Sequence, residues 1–230
     1  MFRMQQRMNT IKYAALEITL IILGVLTAIQ ANNWNESRKY KNVQLKFLHS
    51  LKSELNADLT LIENKRDSFQ RLNTLLTDAH TLLHKDEINQ EEKNTISSAI
   101  SIFPILTPIN KNVERNNNLI STGIIENDHL NLMVLKYYET IKYTAEVQTK
   151  FGETLQVLYV NQISPLVKFN YLLGKSIEFS LKEIQSSPLF INALDLSFGY
   201  RKQALLFLKD QKEMAEKLME LIDQEILYSL

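Results

Sequence analysis

The sequence contains no cysteine, and only five glycines and four prolines among 230 residues. Without cysteine, a disulfide scaffold, a thiolate zinc or iron–sulfur site and a cysteine nucleophile are all excluded. So few glycines and prolines argue against collagen-like, low-complexity and turn-rich all-β proteins. The composition therefore indicates a helical protein with one domain of ordinary size and a short appendage.

An excess of charge of one sign is also absent, because 26 basic residues balance 26 acidic residues. Proteins that bind nucleic acid carry a basic surface, so we expect no nucleic acid among the partners. Recognisable catalytic motifs are missing as well: the chain has no Gly-rich phosphate loop, no GxSxG elbow and no HExxH. The sequence thus predicts no enzyme, with no catalytic and no cofactor-binding residue.

Two histidines have the spacing that a shared metal needs, since His80 and His84 lie one helical turn apart. Two imidazoles alone do not make a metal site, and the residues between them are Thr81, Leu82 and Leu83. We therefore predict no metal ligand and interpret the pair as part of a solvated helix flank.

One long apolar run is present near the N-terminus. Residues 18–29 carry no charge, and over residues 13–34 the only charged side chain is that of Glu17. About twenty helical residues cross the roughly 30 Å hydrocarbon layer of a bilayer. We predict a basic tail over residues 1–12, a transmembrane helix over 13–34 and a soluble helical-bundle domain over 35–230. The expected membrane-interface residues are Tyr13, Asn32, Asn33 and Trp34.

A cleaved signal peptide is the alternative interpretation of this run. Arg3, Arg7 and Lys12 form a basic n-region, and Ile29-Gln30-Ala31 is compatible with a cleavage site. The acidic Glu17 interrupts the junction of the n- and h-regions, which favours a signal-anchor that stays attached.

The orientation of the span depends on the basic residues near its two ends. The tail offers three, and Arg38, Lys39, Lys41 and Lys46 follow on the other side. The tail has no acidic residue before Glu17, whereas Glu36 dilutes the far flank. We expect a single-pass protein of a bacterial inner membrane with a cytoplasmic N-terminus and a periplasmic bundle.

One face of the predicted span carries small residues and the acidic side chain. The helix-packing residues predicted on this face are Ala14, Glu17, Ile21, Gly24, Ala28 and Ala31. Close helix packing in lipid favours small residues, so we predict a homo-oligomer formed through the transmembrane helix. Glu17 makes a buried polar contact in this interpretation, or it snorkels to the headgroups.

The N-terminal residues also resemble a known signature. Tyr13-Ala14-Ala15-Leu16-Glu17-Ile18, then Gly24, then Gln30-Ala31-Asn32-Asn33-Trp34-Asn35-Glu36 resemble the N-terminus of an uncharacterised Bacteroidota family of single-pass membrane proteins, a domain of unknown function. Leu16 stands where that family usually has glycine. A second resemblance runs from Leu119 through Gly123 to Tyr138. The resemblance implies a location and an architecture and no activity.

Three long helices are predicted after the apolar run. No glycine or proline occurs between Val25 and Phe103, so nothing in the covalent chain forces a break between the span and the following helix. Apolar residues recur at spacings of three and four over residues 43–84, 128–162 and 188–228. The predicted fold class is all-α, with one N-terminal transmembrane helix followed by an antiparallel helical bundle with coiled-coil-like long helices.

The same spacings predict the core of the bundle. The first helix contributes Leu48, Leu51, Leu55, Leu59, Ile62, Phe69, Leu72, Leu76, Ala79 and Leu83. The second contributes Leu130, Val134, Tyr137, Ile141, Ala145, Phe151, Leu155 and Leu158. The third contributes Leu189, Ala193, Leu196, Tyr200, Ala204, Phe207, Met214, Leu218 and Leu221.

Local signals mark helix starts and one irregular segment. Asn89 with Glu92 has the pattern of a capping box, and Asn127 is placed to cap a helix. The apolar residues 163–173 are predicted to cover the end of the core, with an exposed partner site as the alternative. Ile177, Phe179 and Leu181 alternate as in a short strand.

These features support a membrane-anchored helical bundle that acts as an interaction, scaffold or sensory module. The partners expected are the lipid bilayer, a second copy and a further protein. Three alternatives stay open: an oligomeric channel or transporter component using Glu17, a secreted helical protein, and an enzyme with an unrecognised site.

Overall fold

The computed structural model describes residues 2–103, 124–169 and 177–229. Its helices are α1 (Phe2–Leu82), α2 (Gln90–Ile102), α3 (Asp128–Leu158), α4 (Leu181–Gln185) and α5 (Pro188–Ser229). A π-helical turn (Tyr159–Ile163) and a 3-10 turn (Ser164–Leu166) prolong α3. Two short strands, β1 (Val167–Lys168) and β2 (Glu178–Phe179), form an antiparallel pair in which Val167 lies opposite Phe179. The predicted all-α class is confirmed.

The first helix is continuous over 81 residues, which corresponds to about 120 Å of length. No proline or glycine interrupts its second half, so each amide keeps its partner four residues earlier. Nothing in the covalent chain forces a break between residues 34 and 43, and the helix is continuous there.

The predicted caps form as expected. The Asn89 side chain accepts a hydrogen bond from the Glu92 amide at 3.0 Å, and the Glu92 carboxylate accepts one from the Asn89 amide at 2.8 Å. Lys85 donates to the same carboxylate, and these bonds hold the pKa of Glu92 below its ordinary value. At the start of α3, Asn127 accepts a hydrogen bond from the Leu130 amide at 3.1 Å. Each cap satisfies an amide that the first helical turn leaves without a partner.

Helix α5 runs antiparallel to α1. Near the start of their contact, Lys52 of α1 pairs with Asp223 of α5. Near the other end, Nε2 of His80 lies 3.6 Å from Oδ1 of Asp195. The residue numbers therefore rise along one helix as they fall along the other.

Helix α5 also runs antiparallel to α3, so α1 and α3 are parallel. Asn127, just before α3, donates to Glu225 at 2.8 Å. Further along, the rings of Phe151 and Tyr200 stack with centroids 4.0 Å apart. Helix α5 thus packs along both of the other long helices and runs in the direction opposite to them.

Two large apolar clusters form the core, one at each end of the bundle. The proximal cluster lies at the end where α1 enters, and its buried residues are Leu48, Leu51, Leu55, Ile125, Leu130, Val134, Tyr137, Tyr138, Ile141, Ala215, Leu218 and Ile222. The distal cluster joins the last turns of α1 to α2, the π-helical turn, the strands and the start of α5. Ile163, Val167, Ile177 and Phe179 belong to it, in agreement with a connector that covers the core.

A polar layer lies between the two clusters. Gln211 donates to the Thr144 hydroxyl at 2.5 Å, and that hydroxyl donates to the Ile141 carbonyl at 2.9 Å. The Gln148 side chain is fully buried, and among the residues that the structure describes neither its amide nitrogen nor its amide oxygen has a hydrogen-bond partner. An unsatisfied buried polar group costs about 1–3 kcal/mol, so this layer weakens the middle of the bundle.

The core positions predicted for α3 and α5 need correction. In the middle of α3, Thr144 and Gln148 are buried where Ala145 was expected. In α5, Leu189 and Leu196 are exposed, whereas the buried residues at the start of the helix are Phe190, Ala193, Leu194, Ser197 and Arg201. Polar side chains occupy several buried positions. A prediction based on the spacing of apolar residues alone cannot identify these positions.

Candidate functional site

The N-terminal part of α1 extends away from the bundle. Every residue from 16 to 43 is exposed, and the first buried residue is Gln44, followed by Leu48. The apolar side chains in this part, such as Ile21 and Leu23, are more than half exposed. No other element that the structure describes covers them. We call residues 16–43 the free segment.

The free segment contains a stretch that is long and apolar enough to cross a membrane. No residue of that stretch is buried, which separates it from the core helix of a soluble protein. A signal sequence near an N-terminus has the same length and composition. The structure therefore supports a candidate span at the predicted position.

The predicted helix-packing face is continuous along the free segment. Because α1 is unbroken, Glu17, Ile21, Gly24, Ala28 and Ala31 lie within one face of it, and all five are exposed. The side chains of Ala14 on this face and of Tyr13 at the interface lie outside the described residues.

Gly24 has open space around it among the described residues. Apart from its two chain neighbours and the backbone of its own helix, none of their atoms lies within 4 Å of a methyl group built on its Cα, and its backbone is helical. Nearby, the Thr27 hydroxyl donates to the Leu23 carbonyl at 2.7 Å, so this polar group needs no partner from outside the helix. A larger side chain at position 24 therefore changes the surface of the helix and leaves its fold intact.

The far end of the free segment combines an aromatic ring with basic residues. Asn32, Asn33 and Trp34 are all exposed, as an interface position requires. The Arg38 guanidinium lies 5.7 Å from the centre of the Trp34 ring, which is the geometry of a cation–π contact. Sequence analysis missed this pair, although the spacing of four residues on a helix was its signal.

A buried tyrosine ties α3 to α1 in the proximal cluster. The Tyr137 hydroxyl donates to the Asp58 carboxylate at 2.9 Å. Burial, together with the nearby Asp58 charge, raises the pKa of Tyr137 above its ordinary value. The phenol thus stays protonated at neutral pH and acts as a structural donor.

A buried arginine closes the end of α2. Arg201 is fully buried and donates to the carbonyls of Ile102 at 2.6 Å and Phe103 at 3.2 Å, and it also contacts the Ser197 hydroxyl. Burial lowers the pKa of Arg201 to about 10, so it is cationic at neutral pH. A cation at a helix C-terminus compensates the partial negative charge of the last carbonyls. This residue, also missed by sequence analysis, is therefore structural.

The histidine pair lies beside a small groove between α1 and α5. The rings of His80 and His84 meet edge-on with centroids 5.0 Å apart, and the groove next to His80 has a volume of about 200 Å³. Over the described residues, no group of three or more histidine, aspartate or glutamate side chains is placed to hold a metal.

A larger cleft of about 450 Å³ lies between α2 and the strand pair. Its charged lining mixes Lys93 and Lys168 with Glu178 and Glu183. Basic and acidic side chains alternate around it, so its lining favours neither an anionic nor a cationic ligand.

A family profile described as "Family of unknown function (DUF6090)" matches residues 17–150, more than half of the chain. The match begins in the free segment and ends within α3. Neither the curated proteins nor the solved structures contain a match to the chain.

Proposed function

Because the chain belongs to DUF6090, a family of unknown function, we propose that it is a membrane-anchored helical bundle that serves as an interaction, scaffold or sensory module, and that it is not an enzyme. The free segment is the anchor in this proposal, and the bundle is the part that meets other proteins.

One observation carries the proposal: in a single unbroken helix every residue from 16 to 43 is exposed, and one face is buried from Gln44 onward. A soluble protein rarely leaves such an apolar length uncovered, because apolar surface in water is unfavourable. Lipid removes that surface from water. Helical continuity then transmits any tilt, rotation or shift of the span to the proximal cluster, as a scaffold or sensor requires.

The same continuity supports a retained anchor over a cleaved signal peptide. Cleavage after Ala31 would cut α1 in the middle of a regular helix, more than a full turn before its first buried residue. Signal peptidases act at small residues, and Asn32, Asn33 and Trp34 add no glycine or proline after Ala31.

The proposed site is a bacterial inner membrane, with the N-terminus in the cytoplasm and the bundle in the periplasm. Protease added to the outside of spheroplasts tests this orientation. We expect the bundle to be digested and a fragment containing the span to be protected. If the bundle is digested only after the cells are lysed, the orientation is the reverse of the proposed one. The proposal of a membrane anchor would still stand.

We further propose that the span self-associates through the face of Glu17, Gly24, Ala28 and Ala31. Helices in lipid gain most where backbones approach closely, and Gly24 presents backbone with no neighbour from its own chain. Glu17 lies at one end of this face. Contact between its side chain and lipid is unfavourable, and in the oligomer a polar contact replaces it.

A matched pair of variants tests self-association in the full-length protein. Gly24→Leu adds bulk on the proposed face, and Leu23→Phe adds bulk about 100° around the helix from Gly24, outside that face. We expect Gly24→Leu to weaken the oligomer in cross-linking from lipid vesicles and Leu23→Phe to leave it unchanged. If the oligomer persists in Gly24→Leu, the bundle and not the span drives assembly. Glu17 then extends to the lipid headgroups and makes no contact in the oligomer.

A channel or transporter component that uses Glu17 is the competing function. Conductance recording from reconstituted bilayers separates the two, because a scaffold or sensor module gives no ion current. Pull-down of the intact protein from native membranes then tests the interaction role. We expect specific partners that are lost when the bundle is removed and the span is kept.

A further inference from the structure

Two cations at the end of the free segment are left without an acidic partner. Lys39 pairs with Glu36 at 3.0 Å, which neutralises that charge locally. Arg38 rests on the Trp34 ring, and among the described residues no carboxylate pairs with it or with Lys41. Both side chains are exposed, and the bundle begins only at Gln44.

These two cations share one face of the helix with the interface tryptophan. Trp34, Arg38 and Lys41 are spaced by four and three residues, so they form a single stripe along α1. Trp34 and Lys41 lie roughly a quarter turn around the helix from the centre of the Gly24 face, and Arg38, seven residues after Ala31, lies at the edge of that face.

The depth of the stripe relative to a bilayer follows from helix geometry. With Trp34 at the boundary of the hydrocarbon, the Arg38 backbone lies about 6 Å further out and the Lys41 backbone about 10 Å. The polar layer on each side of the hydrocarbon is roughly 5–8 Å thick. Arg38 thus lies level with lipid phosphates, and the long Lys41 side chain reaches back to them.

We propose that Arg38 and Lys41, with Trp34 beneath them, form a binding stripe for the phosphate headgroups of anionic phospholipids. The inference rests on the proposed membrane anchor and adds the class of lipid next to it. Arg38 offers a planar fork of donors that matches a phosphate, and Lys41 adds a second positive charge. Basic residues next to a span attract anionic lipids, at about a fivefold preference for each residue.

Trp34 is the only tryptophan in the chain and reports directly on this stripe. The experiment places the full-length protein in nanodiscs of phosphatidylcholine with one-fifth phosphatidylglycerol. In one sample the bromine atoms are on the phosphatidylglycerol acyl chains, and in the other they are on an equal amount of the phosphatidylcholine. Bromine quenches tryptophan emission only in close contact. The ratio of the quenching in the first sample to the quenching in the second therefore measures the enrichment of phosphatidylglycerol around Trp34.

We expect brominated phosphatidylglycerol to quench Trp34 severalfold more than brominated phosphatidylcholine. The double variant Arg38→Gln/Lys41→Gln should bring the two quenching values together. The matched control is Lys202→Gln/Lys217→Gln, which removes two exposed charges from α5 and should keep the preference. Inorganic phosphate at millimolar concentration should not abolish it, because the site needs headgroups held at the membrane surface.

The outcomes separate this inference from the anchor itself. Equal quenching by both lipids in the unmodified protein, or a preference that survives the double variant, would overturn the lipid stripe and leave the anchor standing. A preference that millimolar inorganic phosphate abolishes would make the stripe a soluble anion site and also overturn the inference. If neither lipid quenches Trp34, Trp34 does not lie in the bilayer. That result would overturn the proposed membrane anchor.

Discussion

The two parts of α1 differ in what surrounds them, although they form one helix. From residue 16 to 43 no side chain is buried, whereas from Gln44 to Leu83 a buried residue recurs every three to seven positions. Both parts are rich in apolar side chains. The first has them all round only over residues 18–29, and the second has them on one stripe.

This difference shows how one helix is fitted to two environments. A stripe of apolar residues at spacings of three and four is satisfied by neighbouring helices, and each fully buried leucine contributes about 1.5–3 kcal/mol. A helix that is apolar all round needs cover on every side, and no other element that the structure describes covers this part of α1. Lipid provides that cover in our proposal, and the predictions below test the division at residue 43.

The largest expected effect comes from placing a charge in each part. Leu55 is fully buried in the proximal cluster, so Leu55→Asp should lower the free energy of unfolding of the bundle by at least about 4 kcal/mol. Leu23→Asp should change that free energy by less than about 0.5 kcal/mol, because Leu23 touches nothing in the bundle. Chemical denaturation in detergent, followed by circular dichroism, measures both.

The same pair should behave in the opposite way in membranes. Leu23→Asp adds about 3 kcal/mol to the cost of inserting the span, so less protein should remain in alkaline-washed membranes. If Leu23→Asp destabilised the bundle as strongly as Leu55→Asp, the free segment would belong to the folded core and the division would be wrong.

A smaller effect of opposite sign is expected in the polar layer. Gln148→Met keeps the length of the side chain and removes two buried atoms for which the described part of the chain supplies no hydrogen-bond partner. We expect the bundle to become more stable by about 1–2 kcal/mol. Gln156→Met is the control on the same helix, because Gln156 is exposed, and it should have almost no effect. A loss of stability in Gln148→Met would mean that water or another group pairs with this amide.

The spacing of apolar residues predicted α1 well and the other helices less well. In α1 the predicted stripe is mostly leucine, and positions such as Leu48, Leu76 and Leu83 are buried as expected. In α3 and α5 the inward positions include Gln148 and Arg201, which an apolar pattern skips. The starts of α2 and α3 were predictable because the capping residues Asn89 and Asn127 mark them locally.

The candidate span was predictable for the same reason, since its signal is local and depends on length and composition. The face of Gly24 follows from residue spacing once the helix is continuous. The Arg38 contact with Trp34 needed side-chain geometry, and the direction of α3 relative to α1 needed the long-range pairs. Those pairs join residues far apart in the chain, where sequence spacing carries no signal.

The smallest expected effect compares two glycines, one in each part of the fold. Gly199 lies within α5 with open space around its Cα, as does Gly24 in the free segment. Gly199→Ala should stabilise the bundle by about 0.5–1 kcal/mol, because alanine loses less backbone entropy in a helix. Gly24→Ala should leave the unfolding of the bundle unchanged. Thermal unfolding of both variants in detergent gives the comparison, and equal gains would contradict the separation of the two parts.

The intact mass of the protein recovered from alkaline-washed membranes tests the anchor most directly. The account predicts that the protein remains in the membrane pellet with a mass that still includes residues 1–34, close to 26.7 kDa for the whole chain. A protein found only in the soluble fraction, with a mass that corresponds to a chain beginning at Asn32, would show that residues 1–31 are a removed signal peptide and would contradict the account.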